Sequence, residues 1–168
     1  MKKLIVDGTW SIGKSTFCKK LETQGWGYIQ EPQHDNSIAD HDERNMYYTI
    51  SHLKNLLKFC LTDEKVVMER SIFSTIAYSY AMNDDLWKIM LHESKNLIND
   101  EVKIFMFYKD SIGIGEEILG SNDINMDVFL ARYIQGWNII QQELGGKLEI
   151  HKLQEKSFVS NYFEKYAR

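Results

Sequence analysis

Residues 8–15, Gly8-Thr9-Trp10-Ser11-Ile12-Gly13-Lys14-Ser15, fit the pattern G-x-x-x-x-G-K-[ST], and few other stretches leave a chain so little freedom. The pattern works only between a strand and a helix, and both are at hand. KLIVD at 3–7 is an apolar, β-branched run, and 14–24 has helical periodicity. Gly8 and Gly13 let the backbone curl with its N–H groups turned inward. The helix from Lys14 aims its positive end at the same point. The loop therefore predicts a cradle for the phosphates of a nucleotide. Gly8, Trp10, Ser11, Ile12, Gly13 and Thr16 would surround the anion, Lys14 would reach the β/γ-phosphates, and the Ser15 hydroxyl would bind Mg²⁺.

Four more β-rich segments, 27–31, 65–69, 102–108 and 147–152, alternate with helical patterns at 37–61, 71–82, 84–99, 126–144 and 155–166. In the long pattern at 37–61 the expected inward residues are Ile38, Met46, Ile50, Leu53, Leu56, Leu57 and Cys60. Such alternation predicts an α/β chain with the three-layer P-loop NTPase fold, a five-stranded parallel sheet with helices on both faces. At 168 residues it is expected to form one domain over 1–168. Ligands of such sheets bind beyond the carboxyl ends of the strands. Chemistry is thus sought just after Asp7, Gln30, Met68 and Tyr108. A net charge of −4 argues against nucleic acid or anionic membrane as a partner. Apolar runs are too short to span a bilayer. Cys18 and Cys60 lack metal-type spacing and suit a reducing compartment, so a cytoplasmic location is expected.

Two strand ends carry further chemistry. After the third strand comes VVMERSIFSTIAYSY, residues 66–80. There Glu69 can hold Mg²⁺ or orient an acceptor, and Arg70 can neutralise charge that develops during phosphoryl transfer. The plainer alternative is a pair that caps the following helix. After the second strand comes Gln30-Glu31-Pro32, with the only proline of the chain. Glu31 there is either a general base or a turn carboxylate.

These stretches resemble the thymidylate kinases and deoxynucleoside kinases. Glu69-Arg70 followed by Ser74-Thr75-Ile76-Ala77-Tyr78 matches the thymidylate kinase signature, an acid and an arginine before S-x-x-A-Y. Glu69-Arg70-Ser71 and Glu31-Pro32 equally match deoxynucleoside kinases. MDVFLARYIQGW at 126–137 is similar to the thymidylate kinase helix after the lid, with Phe129, Arg132 and Trp137 at its spacing; a plain packing helix is the alternative. The resemblance implies ATP-dependent, Mg²⁺-assisted transfer to a pyrimidine deoxynucleoside monophosphate. The alternatives are transfer to the 5′-hydroxyl of a deoxynucleoside, and nucleotide binding without turnover. It implies Lys14, Glu31, Glu69 and Arg70 as catalytic residues and Ser15 and Glu69 at the metal. Arg44, Tyr48, Arg70 and Arg132 would contact a small nucleoside or nucleotide acceptor. A homodimer is the assembly common in this group.

The chain also departs from that pattern. Its only arginines are Arg44, Arg70, Arg132 and Arg168. Gln30 stands where thymidylate kinases usually carry an arginine for the acceptor phosphate. The expected lid, about 109–125, has no arginine, and Lys109 is its only cation. Trp10 occupies the loop where lid-poor relatives place a charge. An arginine over the donor phosphates contributes about 10³–10⁵ in rate in related transfers. Three sources stay open: Lys109 or Arg132 substitutes, a partner chain supplies the cation, or turnover is slow or absent. Tyr47 and Tyr48 read either as core or as a platform for a base, and His34 and His41 as solvated or near the acceptor.

Overall fold

The structure is a computed structural model that describes residues 2–33, 35, 37–110 and 125–166. Five strands run in parallel: β1 (Lys3–Gly8), β2 (Gly27–Ile29), β3 (Val66–Glu69), β4 (Val102–Tyr108) and β5 (Leu148–Lys152). Their order across the sheet is β2-β3-β1-β4-β5, with β1 at the centre. Among the described residues six α-helices connect and cover them: α1 (Lys14–Glu22), α2 (His41–Leu61), α3 (Ile72–Ala81), α4 (Leu86–Lys95), α5 (Met126–Leu144) and α6 (Val159–Tyr166). The expected three-layer α/β architecture is the one formed.

Side-chain alternation along the central strands feeds two cores. Ile5, Ile104 and Met106 face a large core with Phe59 of α2, Phe73 of α3, Leu91 of α4 and Trp137 of α5. Leu4, Val6 and Phe107 face a smaller one with Phe17 of α1 and Val159 of α6. With both faces covered, every residue of β1 and β3 is buried, which is why these strands read as unbroken apolar runs. The helix after β1 lies on one face and the helix after β3 on the other. The crevice between the carboxyl ends of these neighbours is the switch point of the sheet.

Boundaries follow local chemistry. β2 stops at Ile29, two residues short of expectation, where its pairing with β3 ends opposite Met68. The Gln30 carbonyl turns instead to Asn55 Nδ2 of α2, 3.0 Å away. α2 starts at His41 rather than 37, since the Asp40 carboxylate accepts the Glu43 N–H at 2.8 Å. Asn125 caps α5 in the same way. α6 starts at Val159, later than expected, where the Val159 N–H donates to the Ile12 carbonyl.

One expectation fails in an informative way. Of the residues expected inward on α2, Met46, Ile50, Leu53 and Leu57 are exposed, and Leu56 is buried. The helix turns a neighbouring stripe, His52, Leu56 and Phe59, into the core instead. Most of the expected lid, 111–124, lies outside the described residues, as do His34, the side chain of His41 and Arg168. No helix among the described residues is long and apolar enough to cross a membrane.

Candidate phosphate and acceptor site

The loop from Gly8 to Ser15 leaves β1 and enters α1 as its sequence requires. Gly8 has φ 133° and Gly13 φ 84°, both in the region that side chains disfavour. A Cβ on Gly8 would lie 1.9 Å from the Phe107 carbonyl oxygen of β4, so glycine is obligatory there. The adjacent Thr9 N–H donates to that same carbonyl at 2.9 Å, fixing the loop's departure. Gly13 caps α1 without a side chain, which leaves the first amides of the helix open to an anion. Residues 11–16 with Phe158 and Ser160 line a cleft of about 470 Å³. A second cavity of about 400 Å³, between α1 and α6, is mainly apolar and lies on the flank of the sheet. It holds none of the strand-end groups.

Lys14 is buried and donates to the Thr9 carbonyl at 2.7 Å, arching over the loop it serves. Burial first, and then the charge of Arg70, lower its ammonium to about 7. Ser15 Oγ donates to Glu69 Oε1, and the Tyr28 hydroxyl donates to Glu69 Oε2. A hydroxyl and a carboxylate thus meet beside the phosphate cradle. That donor set suits Mg²⁺, which takes one or two protein oxygens and fills its remaining positions with water and phosphate. Among the described residues no group of three or more His, Cys, Asp or Glu could hold a metal by itself.

On the far side of Glu69, Arg70 sits at φ 57°, a strained backbone for a long side chain. Its N–H keeps the ladder, donating to the Val6 carbonyl at 3.0 Å. The side chain is buried, with Nε 2.9 Å from Glu31 Oε1, an ion pair whose N–H is not aligned as a hydrogen bond. Tyr48 donates to the same Glu31 oxygen at 2.7 Å. Burial disfavours the Arg70 charge, but Glu31 and then Tyr133 and Asp7 outweigh it and hold the guanidinium firmly protonated. Burial and the Glu31 charge push the Tyr48 phenol up, so it stays a donor. Glu31, Tyr48 and Arg70 therefore form one unit at the mouth of the crevice.

Trp10 leaves the cradle. Its ring lies 5.1 Å from the Arg70 guanidinium carbon and packs tilted against Phe129 and Tyr133 of α5, at centroid distances of 6.5 and 6.1 Å. It lines the crevice beside Arg70 and α5.

The other two expected contact arginines are engaged elsewhere. Arg44 donates from Nε and a terminal nitrogen to the Ile38 carbonyl at 3.0 and 2.7 Å, anchoring the approach to α2. Arg132 donates to the Tyr80 carbonyl at 3.2 Å and to Asn83 Oδ1, tying α5 to the end of α3. Tyr47 is exposed. Lys109 donates to the Glu155 carbonyl at 2.7 Å, with its ammonium 4.9 Å from the Phe158 ring.

Sequence reading missed Asp7. It is fully buried at the end of β1 and accepts from Gly8 N–H at 2.8 Å, Ser71 N–H at 3.0 Å and Ser71 Oγ at 2.9 Å, and from Ser74 Oγ. One carboxylate thus clips the loop to the start of α3. Burial pushes its pKa up, against Arg70 and these hydrogen bonds. A carboxylate directly before Gly8, with two serines after Arg70, was the available signal. Phe158, 145 positions from Gly13, offered none; a Cβ on Gly13 would lie 3.3 Å from its ring.

No family model and no curated protein sequence matches the chain. Solved structures do. Thymidylate kinase from Ehrlichia chaffeensis superposes with TM-score 0.60 at 16% identity, over 98% of this chain and 97% of that one. The fold is that of the nucleotide and nucleoside kinases. Deoxyadenosine kinase from M. mycoides with bound dCTP gives TM-score 0.59 at 15% identity, over 98% of each chain. The YorR protein from Bacillus subtilis, in complex with phosphorylated GDP, gives 0.59 at 16%, over 98% of this chain and 92% of that one. The fold alone is shared at these identities, and the roles of individual residues rest on the geometry above.

Proposed function

We propose that this chain is a nucleoside or nucleotide kinase that transfers the γ-phosphoryl group of ATP, with Mg²⁺, to a deoxynucleoside-type acceptor. The observation that carries the reading is the juxtaposition of two units in one crevice. The Gly8–Ser15 cradle with Ser15 and Glu69 meets the Glu31–Arg70–Tyr48 cluster across the β1–β3 switch point. A cradle alone binds a nucleotide. A carboxylate and a buried arginine opposite it provide a base and a countercharge for an acceptor.

In this reading the loop amides and Lys14 hold the donor phosphates, and Ser15 and Glu69 hold the metal, which supplies charge neutralisation on the phosphates. An acceptor oxygen attacks the γ-phosphorus in line while the bond to the β-bridging oxygen breaks and ADP departs. Glu31 takes the acceptor proton. Arg70 faces the charge that builds on the transferred group.

The geometry favours a neutral acceptor hydroxyl, the deoxynucleoside alternative, over a pyrimidine monophosphate. A dianionic acceptor phosphate needs cations of its own. Arg70 is paired with Glu31, Arg44 is held by the Ile38 carbonyl, and position 30 is Gln. The S-x-x-A-Y match at 74–78 is what still supports the monophosphate. For the missing lid arginine, Lys109 is the better substitute by position. Both cations are held by backbone carbonyls, but Lys109 stands over Phe158, which lines the cleft, whereas Arg132 is tied to the end of α3. Steady-state kinetics test the assignment. Lys109→Ala raises KM for ATP or lowers kcat, whereas Arg132→Ala changes thermal stability and leaves both constants near wild type. The reverse pattern removes Lys109 from the donor site.

A further inference from the structure

Glu69 stands between two groups of residues, and its neighbours decide which of them it serves. Side chains alternate along β3, so Glu69 shares the α1 face with Val67, whereas Arg70, at its positive φ, turns to Glu31. On the α1 face both carboxylate oxygens are taken. Ser15 Oγ of α1 donates to Oε1, and the Tyr28 hydroxyl of β2 donates to Oε2. The second contact follows from the strand register. Tyr28 lies opposite Val67, so Glu69 is its diagonal neighbour, within reach of a long aromatic side chain. Glu69 is buried and Tyr28 half-buried, so the phenol supplies the donor that water would give an exposed carboxylate.

We propose that Tyr28 is a positioning residue for the metal side of the site: its hydroxyl fixes the plane of the Glu69 carboxylate, so that Oε1 and Ser15 Oγ serve the phosphate cradle together. This role presupposes that Ser15 and Glu69 hold Mg²⁺. A carboxylate with one donor turns freely about its last torsion, and a second donor on the other oxygen stops it. Hydrogen bonds from residues behind a ligating carboxylate set its orientation and the affinity of the metal. Ser15 can keep its proton on Oε1 while its lone pairs face the cation. Held by both oxygens, Glu69 belongs to the metal, and taking the acceptor proton falls to Glu31.

Calorimetric titration of the full chain with adenylyl imidodiphosphate, a non-hydrolysable ATP analogue, tests this in EDTA and at increasing Mg²⁺. Wild type is expected to bind more tightly as Mg²⁺ rises. Tyr28→Phe removes only the hydroxyl oxygen. It is expected to keep its affinity in EDTA and to need about tenfold more Mg²⁺ for half of the tightening. Glu69→Gln is expected to weaken the Mg²⁺ response by itself, and adding Tyr28→Phe should change it no further. An unchanged Mg²⁺ requirement in Tyr28→Phe overturns the proposal. So does lost affinity in EDTA, which would make the phenol a group of the fold, and so do effects of the two substitutions that simply add. Wild-type binding that ignores Mg²⁺ overturns the metal assignment and the proposal with it. The titration needs no acceptor and no turnover. A chain that shows the expected Mg²⁺ responses yet phosphorylates no acceptor therefore keeps the role of Tyr28 and loses only the kinase assignment.

Discussion

Lys14 carries an unusual proton balance. Burial and the neighbouring Arg70 hold it near 7, whereas phosphate anions in the cradle favour its charged form and raise it. Nucleotide binding above about pH 7 therefore takes up a proton, and affinity falls by up to about tenfold per pH unit as the pH rises further. Calorimetry in buffers of different ionisation enthalpy reads that uptake directly, and Lys14→Met abolishes it. The stability linkage has the same origin. Because the folded pKa lies below the unfolded 10.5, the unfolded chain binds more protons between the two, and Lys14's contribution makes stability rise with pH there. Asp7 is the second residue on which the site hangs. Asp7→Ala leaves the buried Ser71 N–H without its acceptor and frees the loop from α3. A loss on the order of 3 kcal/mol in denaturant unfolding is expected, together with weaker ATP binding. A stability loss with ATP affinity unchanged would show that the clip serves the fold alone.

At the scale of elements, the tightest joint is the crossing of α3 and α5. A Cβ on Gly136 would meet the Ala77 Cα at 3.1 Å and the Ala77 carbonyl oxygen at 3.2 Å. Gly136→Ala should cost about 1–3 kcal/mol by overpacking, with Tm as the readout. An unchanged Tm would mean that the helices part at no cost. Elements were also where the sequence was easiest and hardest to read. The loop was legible because its glycines, lysine and serine do their work locally, between a strand and a helix next to each other in the chain. The acid–arginine tip of β3 was legible for the same reason. The facing of α2 was not. Its outward stripe, Met46, Ile50, Leu53 and Leu57, is more hydrophobic than the inward one, where Tyr48 donates to Glu31 and meets the His52 ring edge-on. Hydropathy chose the wrong face because that helix has two apolar faces. Pairings such as Glu31 with Arg70, or Phe158 over Gly13, depend on which strands become neighbours, and no local pattern records that.

For the molecule as a whole, the strand order decides what the parts can do. Placing β1 beside β3, with their following helices on opposite faces, brings residues 8–15, Glu31 and 69–71 to one crevice. The scarcity of arginine then shapes the chemistry. Among the described residues, Arg44 and Arg132 hold structure, and Arg70 balances Glu31. On the proposed reading, this arrangement suits an uncharged acceptor better than a charged one. The decisive measurement is ADP release by the full chain with ATP and Mg²⁺, across a panel of deoxynucleosides and their monophosphates. Turnover is expected on at least one deoxynucleoside, and Arg70→Ala should lose it while keeping ATP affinity. ATP binding without turnover on any acceptor would contradict the account, leaving a nucleotide-binding protein; turnover on monophosphates alone would reverse the choice of acceptor.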